Sequence, residues 1–417
     1  MSDVISEVWN NTDSPPCLLH IGENRCTGCA ACTNACPVQA IQLQLDPQGF
    51  YRPRRNPDLC DNCMACLEFC PVSAVEAGLQ ANQPPEPVEV SAAWSTSEEI
   101  HSASSSGGIF SELALDFLAQ SGVVSGCRWD SDWGARHVLI QAPEALAPLR
   151  GSKYVPSFIN PTLYRNIIRL ARSGRPVLFC GTPCQVAGLA GLAPPSARSH
   201  LLLVDLVCHG VPSLKSFWSY LQWRFGERAN VVEFTFRGKQ ISTQTLCATT
   251  RTGTRYMLTC AQDPWFRCAL VYHLLLQRSC FACPFGGLPR SGDITLGDFW
   301  GIPEQWHHPR GDSMLMANSP KGKQMVRRLV EGGRIRIQSS DYATAAGKIH
   351  RLRGSIYPVP ALRRPVLAWI GAGRSFGAIH RFCYQPLRLR ERSSAAAGRR
   401  MRMLYMPLKQ LWRGAAE

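Results

Sequence analysis

Nowhere in the 417 residues does an uncharged apolar run approach the roughly 18 residues that cross a bilayer as a helix, so no helical membrane span is expected. The first 13 residues contain no Lys or Arg and three acids, Asp3, Glu7 and Asp13. That is the reverse of a secretory leader, and a cytoplasmic chain is expected. Charge is sparse, 18% of residues against 45% hydrophobic, which excludes a disordered polyelectrolyte and leaves apolar volume for two or three domains. Acids are the scarcer sign, 30 against 45 Lys and Arg. The deficit is local: Lys348 to Glu417 holds 15 basic residues and two acids, leaving 30 and 28 upstream. A nearly balanced body argues against a nucleic-acid-binding core, while a basic tail suits docking on an acidic surface. The dinucleotide-like stretch "PVLAWIGAGRSFG" at 365–377 is also incomplete. Its glycines run G-x-G-x-x-x-G and no acid follows at the distance a ribose would need, so no nicotinamide site is expected there.

What is abundant is cysteine, 19 residues, and in a reducing compartment that number points to metal ligation instead of disulfides. Eight fall in two copies of C-x2-C-x2-C-x3-C-P, "CTGCAACTNACPVQAI" at 26–41 and "CDNCMACLEFCPVSAV" at 60–75. In this spacing a short loop presents three thiolates to one [4Fe-4S] cluster and the fourth Cys, followed by Pro, reaches the other. One cluster is therefore expected on Cys26, Cys29, Cys32 and Cys70, and the second on Cys60, Cys63, Cys66 and Cys36. Paired structural zinc sites fit such close triplets poorly. A small α+β ferredoxin-type domain over 18–80 is expected, followed by a Pro-rich linker at 81–92.

Beyond the linker the pattern alternates. "SSSGGIFSELALDFLAQSG" predicts a capped helix, "VVSGCRW" a strand, "TLYRNIIRLARSG" a helix, "RPVLF" a buried strand, "PCQVAGLAGL" a helix and "LLLVDLV" another buried strand. This predicts an α/β domain over 93–345 with a mostly parallel sheet, then an antiparallel excursion at "VVEFTF" and "TLCATT". In a right-handed βαβ unit the loops after both strands open on one sheet edge, so Cys184 and Cys208 should be neighbours. "SCFACPFGG" adds Cys280 and Cys283, a C-x2-C with no local second half. These four make ligands for a third [4Fe-4S] cluster. Cys127, Cys180, Cys247, Cys260, Cys268 and Cys383 are read as packing residues.

Three polar loops suit a phosphate-bearing cofactor. Ser105, Ser106, Gly107 and Gly108 open a helix, where free amides and the positive dipole end attract an anion. Lys153 in "GSKY" offers a cation to a phosphate or a reduced flavin, and Asp293 and Asp298 flank "ITLG" near aromatic residues. His209, beside Cys208, is a candidate proton donor, with a structural hydrogen bond as its other reading.

"SSSGGIFSELA", "GSKYV", "VLFCGTPCQVAGL", "LLLVDLVCHGVPS", "RSCFACPF" and "SGDITLGDFWGI", in this order, resemble the coenzyme F420 hydrogenase/dehydrogenase beta-subunit family over roughly residues 20–345. The resemblance implies an FAD-binding electron-transfer domain beside a [4Fe-4S] cluster whose ligands fall on Cys184, Cys208, Cys280 and Cys283. The FAD contacts are expected at Ser105, Ser106, Gly107, Gly108, Ser152, Lys153, Tyr154, Gly181, Thr182, Asp293 and Asp298, with His209 and Lys153 in catalytic roles. Relatives pass electrons between iron-sulfur chains and F420, or reduce an organic substrate with electrons from ferredoxin. Others are encoded among polysaccharide-synthesis genes. The expected partners are thus ferredoxin or another electron-transfer protein, and F420 or an organic substrate. Two alternatives stay open: an electron-transfer subunit without its own substrate site, and a non-catalytic redox scaffold. "FRGKQIST" at 236–243 lacks the Trp expected after its Lys, and the basic tail, 346–417, lies outside the family pattern. In that tail Met401, Leu404, Tyr405, Leu408 and Leu411 recur at helical spacing beside Arg399, Arg400, Arg402 and Lys409, a pattern suited to an anionic membrane surface or to ferredoxin. Pro407 argues against one continuous helix, and a flexible solvated tail stays open beside the docking reading.

Overall fold

Alternation of buried Ile41 and Leu43 with exposed Gln42 builds the first strand of a hairpin, β1 (Ile41–Leu45) and β2 (Tyr51–Arg55). The computed structural model describes residues 13–78, 88–239, 244–354 and 357–396. Around the hairpin lie the short helices Pro16–Ile21, Ala31–Ala35, Ala65–Glu68 and Pro71–Glu76, the expected α+β module. β2 departs from alternation by burying Arg52 and Arg54. Arg52 donates to the Cys26 carbonyl and Asp46, and Arg54 to Ser14 and Glu23, so these guanidinium groups brace the metal-binding loops from inside.

The larger domain contains β3 (Glu89–Ser95), β4 (Val123–Trp129), β5 (Ala135–Ile140), β6 (Ser157–Phe158), β7 (Val177–Gly181) and β8 (Leu201–Leu206). It continues with β9 (Val231–Gly238), β10 (Thr245–Thr250), β11 (Arg255–Thr259), β12 (Ile294–Asp298), β13 (Ser313–Ala317) and β14 (Ile335–Ser340). Nine strands form one sheet in the order β14-β3-β13-β12-β8-β7-β4-β5-β6, and β11-β10-β9 form a separate antiparallel sheet. The expected parallel core is present as β4-β7-β8-β12, crossed over by the helices Leu163–Arg172 and Pro183–Leu192. The sheet as a whole is mixed, because β4 pairs antiparallel with β5, and β13 with both β12 and β3, as does β14 with β3. The reason is loop length: only residues 130–134 separate β4 from β5, far too few for a parallel crossover.

The ferredoxin-type module is seated on this domain. Gly49, at φ +88°, turns the hairpin so that its carbonyl accepts from Leu214 N at the start of the helix Leu214–Phe225 (2.9 Å). Phe50 joins the aromatic core of Phe217, Phe236 and Trp265. The segment expected as a tail from 346 is folded well beyond that point. Helix Arg363–Gly371 and the turns after it bury Val366, Leu367, Ile370, Phe376 and Ile379 in the same core. "PVLAWIG" is therefore helical, its apolar residues spaced to cover one face. The amphipathic stretch 399–411 lies outside the described residues. No described helix is long and apolar enough to cross a membrane.

Candidate functional site

Cysteines of the two opening repeats come together across the strings. One cavity is lined by Cys26, Cys29, Cys32 and Cys70, while Cys36 and Cys63 face one another. Backbone amides point at the sulfurs: those of Gly28 at Cys26, Ala31 at Cys29, Val72 and Ser73 at Cys70, and Ala65 at Cys63. Ala40 N donates to Cys36 Sγ at 3.3 Å. Such donors stabilise thiolate, the ligand form, and a packed neutral thiol has little use for them. Burial pushes the Cys70 thiol up to about 11 and Cys29 higher, so holding these sulfurs as anions requires positive charge among them, which iron supplies. Among the described residues no three His, Cys, Asp or Glu side chains converge at the spacing of a single metal ion.

Cys17, which the spacing argument passed over, is buried against Cys32 of one set and Cys66 of the other. The only signal for it in the sequence is its apolar setting in "PPCLLHI".

Cys184, Cys208, Cys280 and Cys283 come together from three separate loops. Cys184 faces Cys283 and Cys208, and Cys280 faces Cys208 and Cys283. Thr182, which caps the helix Pro183–Leu192, places its hydroxyl 3.2 Å from Cys184 Sγ. Val211 N donates to Cys280 Sγ at 3.3 Å, and the amides of Gly210 and Phe285 serve Cys208 and Cys283. The loop carrying Cys283 is tied down by a fully buried ion pair. Arg290 meets Asp205 at 2.8 Å, donates to the carbonyls of Gly286 and Leu206, and leaves Asp205 to accept from Thr295 and Gly292. Asp205→Asn would leave the Arg290 charge uncompensated, a loss of about 3–5 kcal/mol. The expected result is loss of about four irons from the anaerobic protein with about eight retained. Full iron content in that variant would remove Asp205 from the support of this loop.

This second group of thiols abuts the first. Cys184 faces Cys29, and Gly188 is the close-approach point: a Cβ there would lie 3.5 Å from Cys29 Sγ and 3.3 Å from Ala31 Cβ. Tyr164 Oη reaches the carbonyls of Cys29 and Gln185 at 2.9 and 3.0 Å, and Gln277 donates to the Cys26 carbonyl at 2.6 Å. The three cysteine sets thus follow one another from an exposed Cys63, through the buried first set, to the sheet edge.

At that edge the structure gathers five of the eleven expected cofactor residues, Ser105, Ser152, Lys153, Tyr154 and Asp298. Ser105 Oγ accepts from Ser152 N at 2.9 Å, and Arg237 joins the Ser105 carbonyl (3.3 Å), Tyr154 Oη (3.2 Å) and both oxygens of Asp298 (2.5 and 3.0 Å). Lys239 donates to the carbonyls of His101 and Ser106. Arg237 and Lys239 were not singled out beforehand, although a Lys and an Arg in "FRGK", at the end of a buried strand, were a usable signal. Lys153 directs Nζ at four carbonyls, Pro148, Leu149, Arg150 and Gly151, at 2.7 to 3.3 Å. Burial lowers Lys153 to about 8. Burial with the Arg237 and Arg310 charges does the same to Lys239. Cations destabilised in this way fit an anionic ligand such as a cofactor phosphate.

Other expectations are placed differently. Gly107 N donates to Ser313 Oγ and Ser106 Oγ to the Asp312 carbonyl, so these groups tie the loop to β13. Gly107 is required by close approach, since a Cβ would stand 2.1 Å from the Ala93 carbonyl oxygen, and Gly108 by its φ of +89°. Gly181 and Thr182 sit where β7 turns into its helix, beside Cys184. Asp293 precedes β12 while Asp298 ends it. The Asp293 carboxylate accepts from Leu203 N and Ser319 Oγ at the opposite end of the strand, away from Arg237. His209 Nε2 lies 3.0 Å from His273 Nε2, with the Tyr357 ring packed on both. Cys127 and Cys180, read as packing residues, are close enough to feel the Lys153 charge.

Comparison with known proteins gives the family of both domains. Residues 25–74 match the 4Fe-4S dicluster domain. Residues 90–163 match the N-terminal part, and residues 174–342 the C-terminal part, of the coenzyme F420 hydrogenase/dehydrogenase beta subunit. No curated protein matches. Among solved structures, a chain of the F420-reducing [NiFe] hydrogenase complex from Methanosarcina barkeri is similar at 19% identity and a TM-score of 0.45, covering 71% of this chain and 92% of that one. With both parts of its larger domain matched and a dicluster domain ahead of them, the chain belongs to the coenzyme F420 hydrogenase/dehydrogenase beta-subunit family.

Proposed function

We propose that this iron-sulfur electron-transfer protein passes electrons between its dicluster domain and an FAD held at the sheet edge, and on to F420 or an organic two-electron substrate. The observation that carries the reading is the convergence of Cys184, Cys208, Cys280 and Cys283 directly against Cys29. A third [4Fe-4S] cluster on those thiols would stand between the dicluster domain and the cofactor edge. When bound, a flavin supplies two-electron exchange with a substrate and one-electron exchange with clusters. The protein's own part is placement. Arg237 holds the Ser105, Tyr154 and Asp298 loops in one arrangement, and Lys153 and Lys239 provide positive charge for phosphate. The direct test is the visible spectrum of anaerobically purified protein, followed by turnover of the isolated chain with reduced ferredoxin and F420. Bound flavin without turnover would make it a subunit whose substrate site lies on another chain. Absence of flavin would leave the electron-transfer domain alone.

The two lysines give this reading a pH signature. An anion binds their protonated forms, so flavin retention is expected to fall as pH rises through about 8. The flavin-free protein should behave oppositely. Between pH 8 and the ordinary lysine value of 10.5 the unfolded chain keeps protons that the folded chain has shed, so stability rises with pH there. Flavin release rates and thermal unfolding across pH 7–10 check both signs.

A further inference from the structure

The ligands of the second cysteine set are ringed by apolar side chains in water. Val38 follows Cys36 by two residues, Leu59 precedes Cys60, and Met64 follows Cys63; they are 42%, 54% and 46% exposed. Leu19, 53% exposed, lies on the helix Pro16–Ile21 that packs on Ala65–Glu68. The first set has no such rim, since Ala30, Ala31 and the cysteines themselves are buried. Singly exposed leucines are ordinary, but four grouped around the most exposed thiols of the chain mark a surface.

Its charge is also out of keeping with the chain. Residues 13–78 carry seven acids and four arginines, and the rest of the protein holds 41 basic residues against 23 acids. Two of the four arginines, Arg52 and Arg54, are buried, and Arg25 is paired with Glu76. Arg55 is turned onto Asn62 and Cys60. The charges standing in solvent beside the apolar ring are Asp58, Asp61 and Glu68.

From these two observations we infer that the Leu19, Val38, Leu59, Met64 face is the docking site of a one-electron carrier protein whose own contact surface is apolar at its centre and basic at its rim. A basic-rimmed carrier is attracted by these acids and repelled by the basic segment 348–417, which orients it with its redox centre toward Cys63. An acidic carrier would be drawn to the wrong places. At about 0.1 M salt, fields fade over roughly 10 Å, so the local acids decide the final approach. The inference rests on the electron-transfer role of the dicluster domain and is independent of the flavin site.

The test measures equilibrium binding of two probes to the full anaerobic protein: a basic cytochrome c and an acidic [2Fe-2S] ferredoxin. Cytochrome c is expected to bind the unaltered chain more tightly. Asp58→Lys with Glu68→Lys should weaken it about tenfold while improving the acidic probe. Iron content reports whether the variant is intact, and Glu68→Lys alone, away from the ligand loop, repeats the measurement with a smaller shift of the same sign. Tighter binding of the acidic ferredoxin to the unaltered chain, or unchanged affinities in both variants, would overturn the inference. So would a gain of tenfold or more in cytochrome c binding on deletion of residues 398–417, since the chain's own basic segment would then be the occupant.

Discussion

Cys184→Ala protein purified without oxygen is expected to hold about eight irons where the unaltered chain holds about twelve. The four missing irons would be those of the site formed with Cys208, Cys280 and Cys283. The other eight should remain, because Cys26, Cys29, Cys32 and Cys70 line their own cavity and Cys36 faces Cys63 in another place. The fold should survive as well. Cys184 occupies the first turn of a helix whose capping box, Thr182 with Gln185, and buried face, Val186 and Leu189, do not depend on the thiol. Loss of four irons with a retained far-ultraviolet spectrum thus separates a ligand from a core residue. Full iron content would leave Cys184 a packed residue and the protein a two-cluster one. Cys17→Ala is the useful contrast: it touches Cys32 and Cys66 without belonging to either repeat, and iron content should stay near twelve.

The second large effect is expected at Arg237. Arg237→Met removes the group that joins Ser105, Tyr154 and Asp298, and leaves the Asp298 carboxylate facing the cofactor edge without its partner. Breaking a largely buried pair of this kind costs about 3 kcal/mol. An uncompensated carboxylate there would also repel a phosphate. Flavin absorbance near 450 nm should therefore be almost lost while iron stays near twelve, since the twelve cysteines lie on other segments of the chain than Arg237 and its partners Ser105, Tyr154 and Asp298. Tyr154→Phe removes a single hydrogen bond from the same cluster, worth about 1 kcal/mol, and should keep most of the flavin. Equal flavin content in all three proteins would place the cofactor elsewhere.

Much of this molecule is written in short-range patterns. The two cysteine strings and the crossed ligand assignment follow from loop spacing alone, and the helix Pro183–Leu192 and strands β4, β7 and β8 fall where periodicity and caps placed them. Even the meeting of Cys184 with Cys208 was legible, because the handedness of a βαβ unit leaves their loops only one edge to share. What periodicity could not supply was the partner of each strand. The mixed sheet arose because β5 and β13 return through links without a crossover helix, and apolar runs look alike whichever way a neighbour points.

By itself the sequence determined the chemistry available at each loop: which thiols cluster, which strands run parallel between crossover helices, and that a glycine-bearing turn precedes the helix at Ile109. Beyond the Cys184 and Cys208 loops, only the tertiary structure decided which loops meet. It set Asp298 beside Arg237 and sent Asp293, five residues earlier, to the other end of the same strand. It folded residues 363–384 into the aromatic core, although their arginines read as a tail, because Val366, Leu367 and Ile370 share one helical face. It also turned Cys17 between Cys32 and Cys66, which stand thirty-four residues apart in the two ligand sets. Contacts of this kind depend on how whole elements pack, and burial then sets the charge and hydrogen bonding of each group, quantities that no local spacing encodes.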